Sequence, residues 1–168
     1  MASSSSAPSR SITVSTELGN IRMSLRADAA PETCECVVQL CSVRGYISKI
    51  VAAKAYDGCS FYRSDFVIQM GLSTVNGKTV KNPLGKSLSV NESKLPNTRG
   101  AVAIAHWDCV KSCGSGCRVH APDCGGSEFF INLKRNAHLD KTWGGYCVFA
   151  VVDDDKSMGE LGIYNSVL

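Results

Sequence analysis

Phe61-Tyr62-Arg63-Ser64-Asp65-Phe66-Val67-Ile68-Gln69-Met70-Gly71 holds two short runs of β-branched and aromatic residues broken by Ser64-Asp65. Gly126-Ser127-Glu128-Phe129-Phe130-Ile131-Asn132 repeats the pattern some way downstream. Such runs, bounded by Gly, Ser and Asp, read as strands. Arg63 and Gln69 stand inside stretches that are otherwise apolar. An unpaired cation is costly to bury, so an arginine there either finds a partner in the core or faces a cleft. Read alone, Arg63 is a half-exposed strand residue paired with an acid such as Asp65. Phe66, Phe130 and Leu139 read alone are plain core residues.

Outward from these runs the same strand signal recurs. Residues 11–26 alternate apolar and polar on both sides of Leu18-Gly19-Asn20, a hairpin pattern. Pro31 stands where the first turn of a helix accepts proline, and Val37, Val38, Leu40 and Cys41 supply an apolar stripe. That helix is expected to end or be interrupted at Gly45, with 46–56 extending it or forming a second short one. Further strands are expected at 59–62, 66–70, 101–105, 128–133 and 146–152. Long loops rich in Gly, Asn, Ser, Pro and Lys separate them at 71–99 and 106–127. Many short strands with one early helix imply a mainly β protein, a closed or nearly closed antiparallel barrel with capping helices. No G-x-G-x-x-G, P-loop or G-x-S-x-G motif is present.

The bulk properties narrow the class. The 168 residues suit one domain with a sizeable core, and 44% hydrophobic with 20% charged residues is ordinary for a globular chain. A net charge of +3 without a Lys/Arg run gives no nucleic-acid footprint. No apolar stretch reaches membrane-span length. The Ser-rich start, 1–10, lacks the apolar core of a signal peptide and reads as a disordered tail ahead of a domain at 11–168. The expected compartment is therefore reducing, the cytoplasm with the nucleus as alternative. The nine cysteines then read as free thiols or metal ligands rather than a disulfide framework.

In chain order, Gly19-Asn20-Ile21, Ala30-Pro31-Glu32-Thr33, Tyr56-Asp57-Gly58, Phe61-Tyr62-Arg63 and Phe66 to Gly71 are followed by Asn91-Glu92 and Asn97-Thr98-Arg99-Gly100-Ala101. Gly126 to Ile131, Leu139-Asp140 and Gly145-Tyr146-Cys147-Val148-Phe149 close the series. Taken together these motifs resemble the cyclophilins, the peptidyl-prolyl cis-trans isomerases, over 11–155. The resemblance implies an eight-stranded-type antiparallel barrel and an enzyme that rotates X–Pro bonds in proline-containing proteins, as a monomer with no cofactor. It implies that Arg63 is the catalytic arginine, that Phe66, Val67, Phe130 and Leu139 wall the proline pocket, and that Gln69 holds the substrate carbonyl and orients Arg63. Ala105 and His106 match the strand end that bonds substrate backbone.

Several rim residues depart from the family pattern. His106 replaces a frequent Asn, Tyr62 and Tyr146 a frequent His, Glu128 a frequent Gln, and His138 a frequent Trp. The last change implies weakened cyclosporin binding. These departures also keep open a non-catalytic proline-peptide binding module on the same scaffold. The cluster Cys109-x3-Cys113-x3-Cys117-x6-Cys124, with His106 and His120 nearby, lies in a loop longer than the family usually carries. Zinc, reversible disulfide chemistry and inert thiols are all open there, since the spacing lacks a C-x2-C pair. Residues 46–56 are also longer than usual. The chain after Val152 is shorter, so that either 163–168 folds back as a closing strand or the barrel keeps an open edge.

Overall fold

The structure, a computed structural model, describes residues 10–42, 56–72, 84, 88–89, 91–106, 125–154 and 156–159. Its strands are β1 (Ser11–Thr16), β2 (Gly19–Leu25), β3 (Phe61–Ser64), β4 (Val67–Met70), β5 (Ala101–His106), β6 (Gly125–Asn132) and β7 (Val148–Val152), with one long helix, α1 (Pro31–Ser42), between β2 and β3. All seven strands join one sheet in the order β1-β2-β7-β5-β6-β4-β3, and every pair is antiparallel. The expected antiparallel barrel is thus present in an incomplete form. Its two end strands line a common cavity of about 800 Å³, bordered by Ile12 and Val14 of β1, Phe61 of β3, and Val37, Met70 and Phe129. Two 3-10 turns, Ala137–Asp140 and Thr142–Gly144, lie between β6 and β7, and a helical turn occupies 156–159.

The first hairpin turns at Glu17-Leu18, where Thr16 Oγ1 donates to the Gly19 carbonyl at 2.8 Å and accepts from the Leu18 N–H at 3.2 Å. Gly19 takes a φ of 136°, so the glycine belongs to the first position of β2 rather than to the middle of the turn. Helix α1 begins at Pro31, as the sequence predicts. Its N–H groups are satisfied from far along the chain. The Glu92 carboxylate accepts from the Glu32 N–H at 2.5 Å, the Thr33 N–H at 3.0 Å and the Thr33 hydroxyl at 2.6 Å. An anion there also complements the positive end of the helix dipole. We expect Glu92→Ala to lower unfolding free energy by about 1–3 kcal/mol in a urea titration, without loss of the sheet signal in circular dichroism.

Strand alternation splits the sheet into two apolar faces. The inner face packs Ile21, Met23, Ile68, Met70, Val102, Ile104, Phe129, Ile131 and Phe149 against Val37 and Leu40 of α1. Phe129 meets Phe149 edge to face at 6.1 Å. The outer face carries a second, smaller cluster of Val67, Ala101, Ala103, Ala105, Phe130, Leu139 and Val148. Because both faces are covered, β4 to β6 read in sequence as nearly continuous apolar runs. Cys34, Cys36 and Cys147 are buried in the inner cluster, and Cys59 is half-buried against it. Burial pushes the Cys34 thiol up to about 11, and it donates to the Phe149 carbonyl at 3.2 Å. Burial raises the Cys147 thiol as well, so Cys34 and Cys147 stay protonated at neutral pH and act as small packed side chains. The expected second helical segment at 46–56, the 106–127 loop with its cysteine cluster, and the 163–168 tail lie outside the described residues or almost wholly so.

Candidate active site

A irregularity in β3 sets up the outer face. In a regular strand Phe61 and Arg63, two residues apart, would share one face. Here Phe61 pairs with Met70 and packs in the inner core, then the register shifts, and Arg63 pairs with Gln69 on the outer side. The bulge re-aims the arginine away from the core. From there, register carries a single row across five strands: Arg63 of β3 beside Gln69 of β4, beside Phe130 of β6, beside Ala103 of β5, beside Val148 of β7. The guanidinium and the primary amide therefore stand at one end of a row that is otherwise apolar.

Aromatic and aliphatic side chains wall this row. Phe66, at the tip of the β3–β4 hairpin, packs half-buried against the outer cluster, as do Leu95 and Tyr146. The Tyr146 ring meets Phe130 edge to face at 5.4 Å, and His138 meets Phe66 in the same way at 5.3 Å. The Arg63 guanidinium carbon lies 5.2 Å from the Phe66 ring centre, within cation–π range. Burial pushes the Tyr146 hydroxyl up to about 12 against the opposing pull of the Arg63 charge, so it is neutral at physiological pH. His106 sits 4.3 Å from the Tyr146 ring, and its Nε2 is 3.0 Å from the Gly145 carbonyl oxygen. Sequence reasoning granted His106 a backbone role only; its ring is part of the wall.

Arg63 is held by Asp65. One carboxylate oxygen, Oδ2, accepts from Arg63 Nε at 3.0 Å and from a terminal nitrogen at 2.8 Å, while Oδ1 accepts from the Val67 N–H at 3.1 Å. Asp65 thus ties the hairpin turn to the guanidinium, an Asx-type device extended to a neighbouring cation. Burial alone would raise the Asp65 carboxyl; the Arg63 and Val67 hydrogen bonds outweigh it and hold it below the usual carboxylate range. The pairing with Asp65 foreseen from the isolated sequence is therefore present, and so is the placement beside the apolar row. One reading does not displace the other.

Gln69 and Glu128 form the layer behind. Gln69 Nε2 donates to Tyr62 Oη at 2.5 Å and to Glu128 Oε2 at 3.1 Å, and the Tyr62 hydroxyl donates to the same carboxylate oxygen. Glu128 is 1% exposed, so it is a support and not a surface that a peptide touches. Gly71 makes room for it, since a Cβ there would fall 2.7 Å from Glu128 Cδ and 2.9 Å from its Cα. Ala105 and His106 close β5 at the edge of the row.

The turn carrying His138 and Leu139 is braced by Asp140. Its Oδ1 accepts from the Asn97 N–H at 2.7 Å and the Asn97 amide at 3.0 Å, and its Oδ2 accepts from Arg135. Neither Asp65 nor Asp140 was picked out as a site residue; an aspartate inside a two-residue turn is the only local signal for the first. Among the described residues no group of three or more His, Cys, Asp or Glu could hold a metal ion. Cys109, Cys113, Cys117 and Cys124 lie outside those residues.

The burial of His106 has a pH consequence. Burial lowers its pKa below the ordinary 6.5, partly offset by the Gly145 hydrogen bond. As pH falls below about 6.5 the unfolded chain takes up the proton before the folded one, so stability drops with it. We expect unfolding midpoints to decline between about pH 6.5 and 5, and this part of the decline to vanish in His106→Asn.

A cation thus stands beside an aromatic and aliphatic wall on the outer face of an antiparallel sheet. The profile of the family described as "Cyclophilin type peptidyl-prolyl cis-trans isomerase/CLD" matches residues 11–160. This chain belongs to the cyclophilins. Human peptidyl-prolyl cis-trans isomerase-like 3 is 30% identical over 156 residues, covering 90% of this chain and 81% of that protein. Peptidyl-prolyl cis-trans isomerase 10 of Caenorhabditis elegans is 32% identical over 148 residues, 86% of this chain and 76% of that one. A crystal structure of a Cryptosporidium parvum cyclophilin-type isomerase superposes with a TM-score of 0.67 at 22% identity, over 94% of this chain and 84% of that one. A second structure of that protein, in the presence of the dipeptide Ala-Pro, gives 0.67 at 20% identity, over 93% and 85%. At that identity the structures support the cyclophilin fold, and the sequence relatives carry the family assignment.

Proposed function

We propose that the chain is a peptidyl-prolyl cis-trans isomerase whose substrate lies along the row from Arg63 to Val148. The observation that carries this is the cross-strand row itself, which sets one guanidinium at the end of an apolar strip walled by Phe66, Phe130, Leu139 and Tyr146. The chemistry asks for little more. An X–Pro bond resists rotation by about 18–20 kcal/mol because of amide resonance. A donor at the prolyl nitrogen favours its pyramidal form and removes that resonance. A dry wall fixes the proline ring and strengthens the donor's field. In this reading Arg63 is the donor. Phe66, Val67, Phe130 and Leu139 grip the ring, and the end of β5 at Ala105 and His106 bonds the substrate backbone. No cofactor takes part.

Cyclosporin binding is weak in this reading, because an imidazole at position 138 offers less apolar area than an indole. A proline-peptide module without turnover is favoured by one feature, the occupation of Arg63 Nε and a terminal nitrogen by Asp65. NMR exchange on an Ala-Pro tetrapeptide separates the two. Faster cis–trans exchange at substoichiometric protein supports the enzyme; shifted peptide resonances without faster exchange support the module.

A further inference from the structure

Asn136 is 2% exposed and touches both sides of the apolar wall. It precedes the turn Ala137–Asp140, and its backbone carbonyl accepts from the Leu139 N–H at 2.9 Å. An asparagine at the start of a helical turn ordinarily spends its side chain on that turn's own N–H groups. Here the side chain makes no such bond and crosses to the sheet instead. Its Nδ2 donates to the Phe66 carbonyl at 3.2 Å and to Asn132 Oδ1 at 2.8 Å. A backbone carbonyl can only accept, so the nitrogen end of the amide is the end that faces Phe66. Asn136 thus grips the main chain of Phe66 through its side chain and that of Leu139 through its backbone. The two belong to different elements, the β3–β4 hairpin and the 3-10 turn, and both pack in the outer cluster. The anchor behind them is fixed in turn. Asn132, 0% exposed, donates to Asn97 Oδ1 at 3.1 Å and to the Ala101 carbonyl at 2.9 Å, and the Asn136 N–H donates to the Asn97 carbonyl at 2.9 Å. The His138 ring, carried by the same turn as Leu139, meets Phe66 edge to face, so a shift of the turn disturbs that contact too.

We propose that Asn136 is a positioning residue that sets the spacing between Phe66 and Leu139, and through it the size of the imino-acid ring that the site accepts. This rests on the isomerase reading and specifies its substrate: the five-membered prolyl ring fits, and the six-membered pipecolyl ring is disfavoured. Phe66 stands at a hairpin tip and is half-buried, so packing alone holds it less firmly than the buried Leu139. A hydrophobic pocket of fixed width discriminates against one added methylene by about 10–200-fold. A pocket whose walls can part relaxes around the larger ring and loses that discrimination. When Asn136 is truncated the Phe66 carbonyl keeps the Leu133 N–H at 3.2 Å. The strand pairing therefore survives the change, and the spacing is what is lost.

The test pairs ring size with a mutant cycle. Two peptides with identical flanks carry proline or pipecolic acid after the same residue X, and cis–trans exchange is followed by NMR. Wild type is expected to favour the prolyl peptide by about tenfold or more in kcat/KM. Asn136→Ala is expected to lose about five- to tenfold on the prolyl peptide and about twofold or less on the pipecolyl peptide, so the preference shrinks by about three- to fivefold. Glu92→Ala, which removes the α1 cap, controls for lost stability, and its preference should match that of wild type. In a Phe66→Ala background one wall is already gone, and Asn136→Ala should then cost less than about twofold. An unchanged preference in Asn136→Ala, a Glu92→Ala preference that shrinks equally, or equal costs of Asn136→Ala in both backgrounds would overturn the assignment. Should Asn136→Ala not fold, Asn136→Ser, which keeps a small polar side chain, takes its place: a shrunken preference upholds the assignment and an unchanged one overturns it. If the wild type shows no turnover at all, the isomerase reading fails separately. Kd values for the same two peptides, from NMR titration, then carry the test. A preference for proline that shrinks in the Asn136 variant upholds the spacing role, and one that does not overturns it.

Discussion

Arg63→Ala is expected to reduce kcat/KM for an X–Pro peptide by about 10²–10³-fold while leaving Tm nearly unchanged. The activity loss follows from removing a fixed donor at the atom where charge develops, a class of change that costs about that much elsewhere. The small stability change follows from the surroundings of the side chain. Arg63 and Asp65 are 44% and 42% exposed, and an ion pair in that setting contributes about 0–1 kcal/mol. Asp65→Asn gives a different pattern. The guanidinium survives but loses the charge that ties it to the hairpin turn, so turnover should fall by less than in Arg63→Ala. Arg63→Lys should resemble Ala more than wild type, because an ammonium cannot lie flat over Phe66 while forking to Asp65. The measurement is NMR exchange on one peptide for all four proteins, alongside thermal melts. Equal turnover by wild type and Arg63→Ala would remove the arginine from the mechanism and leave the apolar wall to act alone.

These expectations draw on features that differ in how far the amino-acid sequence discloses them. The strands were legible in two ways: β1 and β2 alternate apolar and polar residues, while β4 to β6, covered on both faces, read as nearly continuous apolar runs. The start of α1 was legible from Pro31, but its cap is Glu92, distant in sequence, which no local pattern announces. The bulge in β3 was also silent. An even alternation puts Phe61 and Arg63 together, and only the pairing with β4 shows that they part. Family resemblance supplied the site residues that line the outer face, since their order is retained. It did not disclose how their neighbours hold them: Gln69 donates to Tyr62 and Glu128 behind the row, and the His106 ring packs on Tyr146. A substitution changes the partner as well as the position, and the partner lies across the sheet.

The same logic gives the second large effect, at Asp140. We expect Asp140→Ala to lower unfolding free energy by about 2–4 kcal/mol and to depress turnover as well. Asn97 is 0% exposed, and the mutation strips its backbone N–H and its amide of their shared acceptor. Arg135 loses its carboxylate too, while keeping a bond to the Asn97 carbonyl at 3.2 Å. The damage reaches the site because Asp140 closes the turn that holds Leu139 and His138 against the outer face. Burial would raise the Asp140 carboxyl, but the Arg135 and Asn97 bonds prevail and lower it below the ordinary carboxylate value. A depressed folded-state pKa means that the stabilisation is present above the unfolded value, about 3.9, and is lost as pH falls through the folded one. Wild type should therefore lose stability in acid more steeply than Asp140→Asn, whose contribution has no proton to gain. Urea titrations of both proteins from about pH 7 to 3 make the comparison. Parallel curves would mean that Asp140 braces the turn through hydrogen bonding alone, with its charge contributing nothing.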